Sequence, residues 1–495
     1  MKHKNVSVIT RRDFLRRAAC AAVGTAAMTS AIRDLRFINS AVAQSNVVDY
    51  KALVCIFLSG GNDSNNLIVP TQPSDYTNYA NIRTPVLALP QSSLLSLGSY
   101  MDSAGHTFGL HPACTGLQTL FNEGKLAMLF NTGTLLFPMT AAQYKAGILA
   151  KPPQLFSHAD QVTQWQTSIP DQPPVTGWGG RCADLMNSVN TNAPISLSVS
   201  LAGANTLEVG NIVSQYAVST SGAISLNNVT GSRLAALTNI LGLPYPNMQA
   251  QAYAGVAGHS IAVGSLLNNA ITNTAAANYW TNGFPTSLTY SGSTFTSDLS
   301  KQLKMIARLI EAGKRDAMSG GFGMRRQIFF CQVGGYDLHS GQTKTVSPGV
   351  FDPVNGAHAN LLAEVSQCML NFQRAMEQLS IENNVTTFTA SDFGRTFPAN
   401  GQGSDHGWGS HHIIMGGKGG STGSVIGGQA YGKFPTLAVK GPDDTDTGRW
   451  IPTTAIDQYF ATLARWFGVD NANIPTVFPN IGRFSTSDLG FMRPG

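Results

Sequence analysis

The sequence predicts an α/β fold layered around a central, mostly parallel sheet, and three observations lead there. Runs of strand length that are apolar on both faces recur at residues 52–58, 125–130 and 327–333, as strands buried on both sides do. Each run stops at a small-residue turn: Ser59-Gly60-Gly61-Asn62-Asp63, Asn131-Thr132-Gly133 and Gly334-Gly335-Tyr336-Asp337. Between them lie amphipathic segments such as residues 298–317, where Leu299, Leu303, Ile306, Leu309 and Ile310 share one helical face. With 43% hydrophobic residues in a chain of 495, there is enough apolar surface for a large core with covering helices.

Ahead of the first strand, residues 1–43 read as an export leader. Thr10-Arg11-Arg12-Asp13-Phe14-Leu15-Arg16 looks like a twin-arginine signal, followed by a weakly apolar Ala-rich run and a small-x-small site, Ala41-Val42-Ala43. Such a leader implies the twin-arginine translocase as a partner, a periplasmic or secreted destination, and residues 44–495 as the mature domain. Cys20 makes no lipobox, because Arg17 stands where an apolar residue is needed. The leader also carries the charge. The whole chain is formally +5, but eight Lys/Arg and two acids fall in the leader, leaving 24 basic against 25 acidic residues. That balance lacks the basic surplus of a nucleic-acid or anionic-membrane binder. No later stretch has the ~20 uninterrupted apolar residues of a membrane span. The five later cysteines have no CxxC and sit in apolar settings, which reads as buried free thiols.

In chain order, the strand at 52–58 is followed by a loop-rich stretch, a helix over 114–122 ended by Gly124, and the strand at 125–130. Ser157 with Asp160 three residues on predicts a capping box at the start of a helix over 159–166. A hydroxyl at a helix N-terminus also stands where backbone N–H groups stabilise an oxyanion. Residues 176–181 predict a tight loop into another helix, with Arg181 a candidate for anion binding. Between 188 and 297 the composition turns to Ser, Thr, Asn, Ala and Gly, which predicts an inserted cap with strands at 195–199 and 224–229 and helices near 234–241 and 257–270. The helix at 298–317 then feeds the strand at 327–333, and a helix over 357–378 feeds a strand over 385–390. The tail carries a helix over 456–467.

In a parallel sheet the carboxyl ends of strands share one edge, and ligands gather there. Three strands end on acids: Asp63, Asp337 with His339, and Asp392. The loop after Asp392 adds Asp405, His406, His411 and His412. Carboxylates mixed with imidazoles suit one or two divalent cations, Zn, Mn or Fe, with Mg left open by the abundance of Asp. A turn aspartate beside two glycines is the competing reading of Asp63, and a polar turn that of the others.

The order GGND, SHADQ, GGYDLH, SDFGRT, SDHG resembles the domain-of-unknown-function 1501 (DUF1501) family, related to the alkaline phosphatase and sulfatase superfamily. The resemblance implies an alkaline-phosphatase-like α/β/α sandwich with a metal centre at the sheet edge. It further implies Asp63 as the first metal aspartate, Ser157 as the nucleophile, and Asp337 with His339 as a ligand pair. Phe393 departs from the superfamily's Asp-His motif at Asp392, so His406, or the pair Asp405-His406, is the candidate replacement, with His411 or His412 as a final ligand. Arg395 or Arg181 would hold the equatorial oxygens of a transferred group. No Cys or Ser lies in the context of a formylglycine sulfatase. The function so implied is an exported metal-dependent hydrolase of phosphate or related esters with a metal-activated Ser157, acting on a small or polymeric ester. The alternative is a non-catalytic exported protein binding envelope, carbohydrate or a secreted partner on the same fold.

Overall fold

The computed structural model describes residues 47 and 49–493 except 191–192, 225, 227 and 273–282, so the leader read in residues 1–43 lies outside the described residues. Strand β1 (Lys51–Leu58) is buried along its whole length. It is followed in order by α1 (Thr115–Asn122), β2 (Leu126–Gly133), α2 (His158–Thr167), α3 (Trp178–Met186), β3 (Ser198–Ser200), β4 (Tyr216–Ser219) and β5 (Gly222–Ala223). Next come α4 (Asp298–Lys314), β6 (Arg326–Val333), α5 (Ala357–Gln378), β7 (Val385–Ser391), β8 (Ser410–Gly416), β9 (Gln429–Tyr431), β10 (Thr454–Ala455) and α6 (Ile456–Phe467).

The central sheet runs β9-β2-β8-β7-β1-β6-β3-β4-β5, with β10 also pairing β2. The sheet is mostly parallel, as expected, with β8 running antiparallel to both β7 and β2, and β5 antiparallel to β4. Helices α1 and α4 both pack against α5 and on the sheet, and α2, α3 and α6 form a second group on it. Trp178 of α3 and Phe460 of α6 stack with ring centroids 4.5 Å apart, and both reach Phe388 of β7. This is an α/β/α sandwich.

Register decides where the site lies. Leu58, the last residue of β1, is level with Val333 of β6 and Ser391 of β7. The three turns that follow therefore leave the sheet side by side. Gly60 and Gly61 make the crowding possible. Their φ angles are +114° and +84°, and a Cβ would lie 2.4 Å from the Asp337 backbone N at the first and 2.5 Å from the Phe393 ring at the second.

Three expectations are corrected. The Ser/Thr/Asn-rich segment is not all insertion, because β3 pairs in parallel with β6 and β4 and β5 extend that edge of the main sheet. The helices expected within it form, over Ser232–Leu241 and Met248–Thr272, but no strand is found among the described residues of 224–229: pairing ends at Ala223, and Ile224 and Leu226 are exposed. In addition, Gly179, Gly180 and Arg181 lie inside α3 and not in a loop before it. Among the described residues no helix is long and apolar enough to cross a membrane. All five described cysteines are buried and free.

Candidate metal centre

At the shared strand edge three imidazoles converge on one carboxylate. His158, the first residue of α2, places Nε2 3.4 Å from Asp337 Oδ2. His339 and His406 place Nε2 3.1 Å and 3.3 Å from Asp337 Oδ1. The nitrogens crowd each other as well: His158 Nε2 and His406 Nε2 are 3.1 Å apart, and His339 Nε2 and His406 Nε2 2.9 Å. One ligand atom each from His158, Asp337 and His406 lies within 4.8 Å of the others.

The far nitrogens face acceptors, which places a proton on each Nδ1. His406 Nδ1 lies 2.7 Å from the Phe156 carbonyl, which can only accept. His158 Nδ1 faces Asp392 Oδ2 at 2.7 Å, and His339 Nδ1 faces Asp405 Oδ1 at 3.0 Å. With the Nδ1 atoms donating to these acceptors, the Nε2 atoms of His158 and His339 both face His406 Nε2, and contacts of 2.9–3.1 Å need a proton or a cation between the nitrogens. The separations among His158, Asp337 and His406 suit a tetrahedral ion with bonds of about 2.0–2.1 Å, whose ligand atoms lie about 3.3 Å apart, and His339 stands beside Asp337 and His406. Carboxylate and carbonyl partners behind metal-binding histidines are the usual device that fixes tautomer and ring orientation. The donor set present therefore fits a divalent cation.

The surroundings lock this arrangement. The Phe393 ring packs against His158 at 4.8 Å and His406 at 4.6 Å between centroids, so the residue standing where a histidine was expected acts as their wedge. Asp392 is buried, and burial pushes its carboxyl up, opposed by the His158 ring and the Gly60 N–H that donates to Oδ1 at 3.0 Å. Burial pushes the Asp337 carboxyl up too, but the Arg395 bond and charge outweigh it and leave Asp337 below the ordinary range. Burial lowers His406, opposed by its bond to the Phe156 carbonyl and aided by the Arg395 charge. The side chains of Asp337 and His339 are 47% and 45% exposed, so the cluster opens to solvent.

The structure thus brings Asp337, His339 and His406 together, with Asp392 and Asp405 behind two of the rings and not among the converging atoms. Asp63 is not brought there. It is buried in an ion pair with Arg83, and its remaining contacts come from Gln342 and Asn65. Burial raises the Asp63 carboxyl, and the Arg83 charge more than offsets this, leaving it low. His411 and His412 also lie away from the cluster, because neighbouring strand residues point to opposite faces of the sheet. His411 stacks on Phe434 and accepts from the Asn131 N–H, and His412 packs on Trp165 and Tyr459. Among the described residues neither buried Nε2 has a partner, and burial pushes both down to about 3.

Neither arginine expected to hold oxygens is available. Arg395 donates to the carbonyls of Gly60, Gly61, Tyr336 and Ser404 and to Asp337 Oδ1, tying the three turns together. Arg181 donates to the carbonyls of Val477, Thr176 and Thr167. Ser157 is the N-cap residue of α2, but its hydroxyl donates to Asp160 Oδ2 at 2.6 Å and makes no cap bond to the backbone. It stands between Phe156 and His158, both of which serve the cluster.

Sequence reasoning missed His158. Its signal was the SHADQ motif itself: the histidine beside the nominated serine, on the first turn of a helix whose start faces the strand ends.

Residues 320–474, which include Asp337, His339, Asp392, Asp405 and His406, match the family model described as "Protein of unknown function (DUF1501)". No curated protein matches the chain. Among solved structures it is similar to the PsFucS1 sulfatase from Pseudoalteromonas sp., at 12% identity and a TM-score of 0.32, covering 88% of this chain and 72% of that one. It is similar to the lipooligosaccharide phosphoethanolamine transferase EptA from Neisseria meningitidis, at 11% identity and a TM-score of 0.25, covering 83% and 64%. A mutant of the alkaline phosphatase PafA matches at 12% identity and a TM-score of 0.24, covering 71% and 64%.

Proposed function

We propose that this chain is a metal-dependent hydrolase of phosphate or related esters, exported by the twin-arginine translocase and acting in the periplasm or outside the cell. The observation that carries the reading is the convergence of three Nε2 atoms on Asp337 with every Nδ1 engaged behind. His158, His406 and Asp337 would hold the ion, with His339 beside Asp337 and His406. Imidazoles with one carboxylate favour Zn over Mg or Ca. One ion is expected and not two, since Arg83 neutralises Asp63 and Arg395 already sits on Asp337. Bound there, a divalent cation supplies Lewis-acid polarisation of an ester oxygen.

The chain's own residues supply the rest. Ser157 Oγ donates to Asp160, which can take its proton as the oxygen attacks. The bond from Ser157 Oγ to the phosphorus or sulfur forms as the ester oxygen leaves and is protonated from solvent. A water then releases the acid from Ser157. Asp392, Asp405 and the Phe156 carbonyl hold the imidazoles in the tautomer this requires.

The test is elemental analysis of the mature chain beside His158→Ala, His406→Ala and Asp337→Ala, then a screen of phosphate and sulfate esters with Ser157→Ala as control. Near-stoichiometric Zn, Mn or Fe that falls in all three variants, with turnover lost in Ser157→Ala, is the expected result. Absence of metal and of metal uptake would overturn it and leave the non-catalytic binding reading, which the sealing of Asp63 by Arg83 favours.

A further inference from the structure

The committed donors of Arg395 and Arg181 leave a hydrolase of anionic esters without an expected cation for its substrate, and one other arginine at the cluster is differently placed. Arg449 donates from Nε to the His406 carbonyl at 2.7 Å, and its guanidinium lies over the Phe156 ring, 4.2 Å from the centroid. Both anchors belong to the centre: His406 is one of the converging imidazoles, and the Phe156 carbonyl fixes that imidazole's Nδ1. The guanidinium is therefore held in a fixed plane by a ring face and one hydrogen bond. No acceptor among the described residues is bonded to its Nη1 or Nη2. The acids of its own loop are occupied elsewhere: Asp444 accepts from the backbone of Lys440 and Gly448, and Asp446 pairs with Lys145. Asp405, the carboxylate that feels the Arg449 charge, is directed to His339 and Asn400.

An arginine gripped at Nε and stacked on an aromatic face, with its terminal nitrogens open, is arranged to receive a tetrahedral oxyanion through two parallel bonds. The site is half-exposed, so an anion can reach the open face of the guanidinium from solvent.

We infer that Arg449 binds the anionic group of the substrate, a phosphate or sulfate, beside the metal cluster. This rests on the hydrolase reading above. The full mature chain, metal-loaded, is titrated calorimetrically with inorganic phosphate and with inorganic sulfate, as wild type, Arg449→Gln and Arg449→Lys, and the metal content of each sample is measured. The expected result is anion binding by the wild type, at least ~10-fold weaker binding in Arg449→Gln and an intermediate loss in Arg449→Lys. Metal content stays unchanged in all three, which separates loss of the anion contact from displacement of His406. Equal affinity in wild type and Arg449→Gln with metal retained overturns the assignment, as does a metal-replete wild type that binds neither anion. Measuring metal uptake by the same protein separates the two readings: a wild type that takes up no metal yet binds phosphate through Arg449 sinks the hydrolase and keeps the anion site.

Discussion

Replacing Asp392 with Asn tests the central claim, that second-nitrogen partners set the tautomers of the metal-facing imidazoles. Asp392 is 1% exposed and accepts twice, from the Gly60 N–H at Oδ1 and from His158 at Oδ2. An asparagine keeps the Gly60 bond with its single oxygen, which turns its NH₂ group toward His158 Nδ1. That nitrogen must then accept, and the imidazole proton moves to Nε2, the atom that points at Asp337 and His406. His158 ceases to be a ligand without any atom leaving its place. Loss of such an outer partner lowers metal affinity about 10–100-fold, roughly 1.4–2.7 kcal/mol, and an inverted tautomer belongs at the upper end. Folding stability should change by less than about 1 kcal/mol, since both polar groups keep partners and a carboxylate that burial disfavours is removed. The assay is competition for Zn against a calibrated chelator, with thermal unfolding as the control. Wild-type affinity in a folded Asp392→Asn protein would refute the tautomer argument and, with it, the assignment of His158.

Three other predictions concern residues that the structure places away from the cluster. Asp63→Ala leaves Arg83 buried without its counter-ion and should cost about 3–5 kcal/mol in chemical denaturation, while the folded fraction retains its metal; metal loss at full stability would return Asp63 to the site. His412→Phe should preserve metal content and keep stability within about 1.5 kcal/mol, because the ring packs on Trp165 and Tyr459 and gives up only the long 3.4 Å contact of Nδ1 with Thr389 Oγ1. Acid stability follows from the buried histidines. Burial holds His358 at about 4 and His111, His411 and His412 at about 3, so their folded values lie below the unfolded ones. Their contribution is present above pH ~6.5 and is lost as pH falls toward these values, by about 1.4 kcal/mol per pH unit for each histidine. Urea unfolding between pH 7 and pH 4.5 should show that decline, less steep by one proton in His412→Phe; a pH-independent midpoint would contradict it.

The sequence by itself determined the layering and the edge at which chemistry would gather. Apolar runs that lack alternation have only one comfortable place, between two layers of helices, and β1, β2 and β6 formed there as expected. The Gly-Gly turns were legible too, since they close strands, and so were Asp337, His339 and His406 as residues near strand ends. The partners of those residues across the fold were not legible. Pairing distances such as Asp63 to Arg83, twenty residues on, or Asp392 to His158, more than two hundred back, depend on how the elements pack, and composition carries no trace of them. An acid at a strand end looks the same whether it faces a metal, a guanidinium or the back of an imidazole. The same holds for Arg395, whose sequence setting suggested oxygen binding until tertiary packing ringed it with carbonyls. What only the tertiary structure decided was the assignment of each polar group to a partner. Hydrogen bonds and ion pairs are local in space and indifferent to separation along the chain, whereas the hydrophobic periodicity that writes the fold is local in sequence.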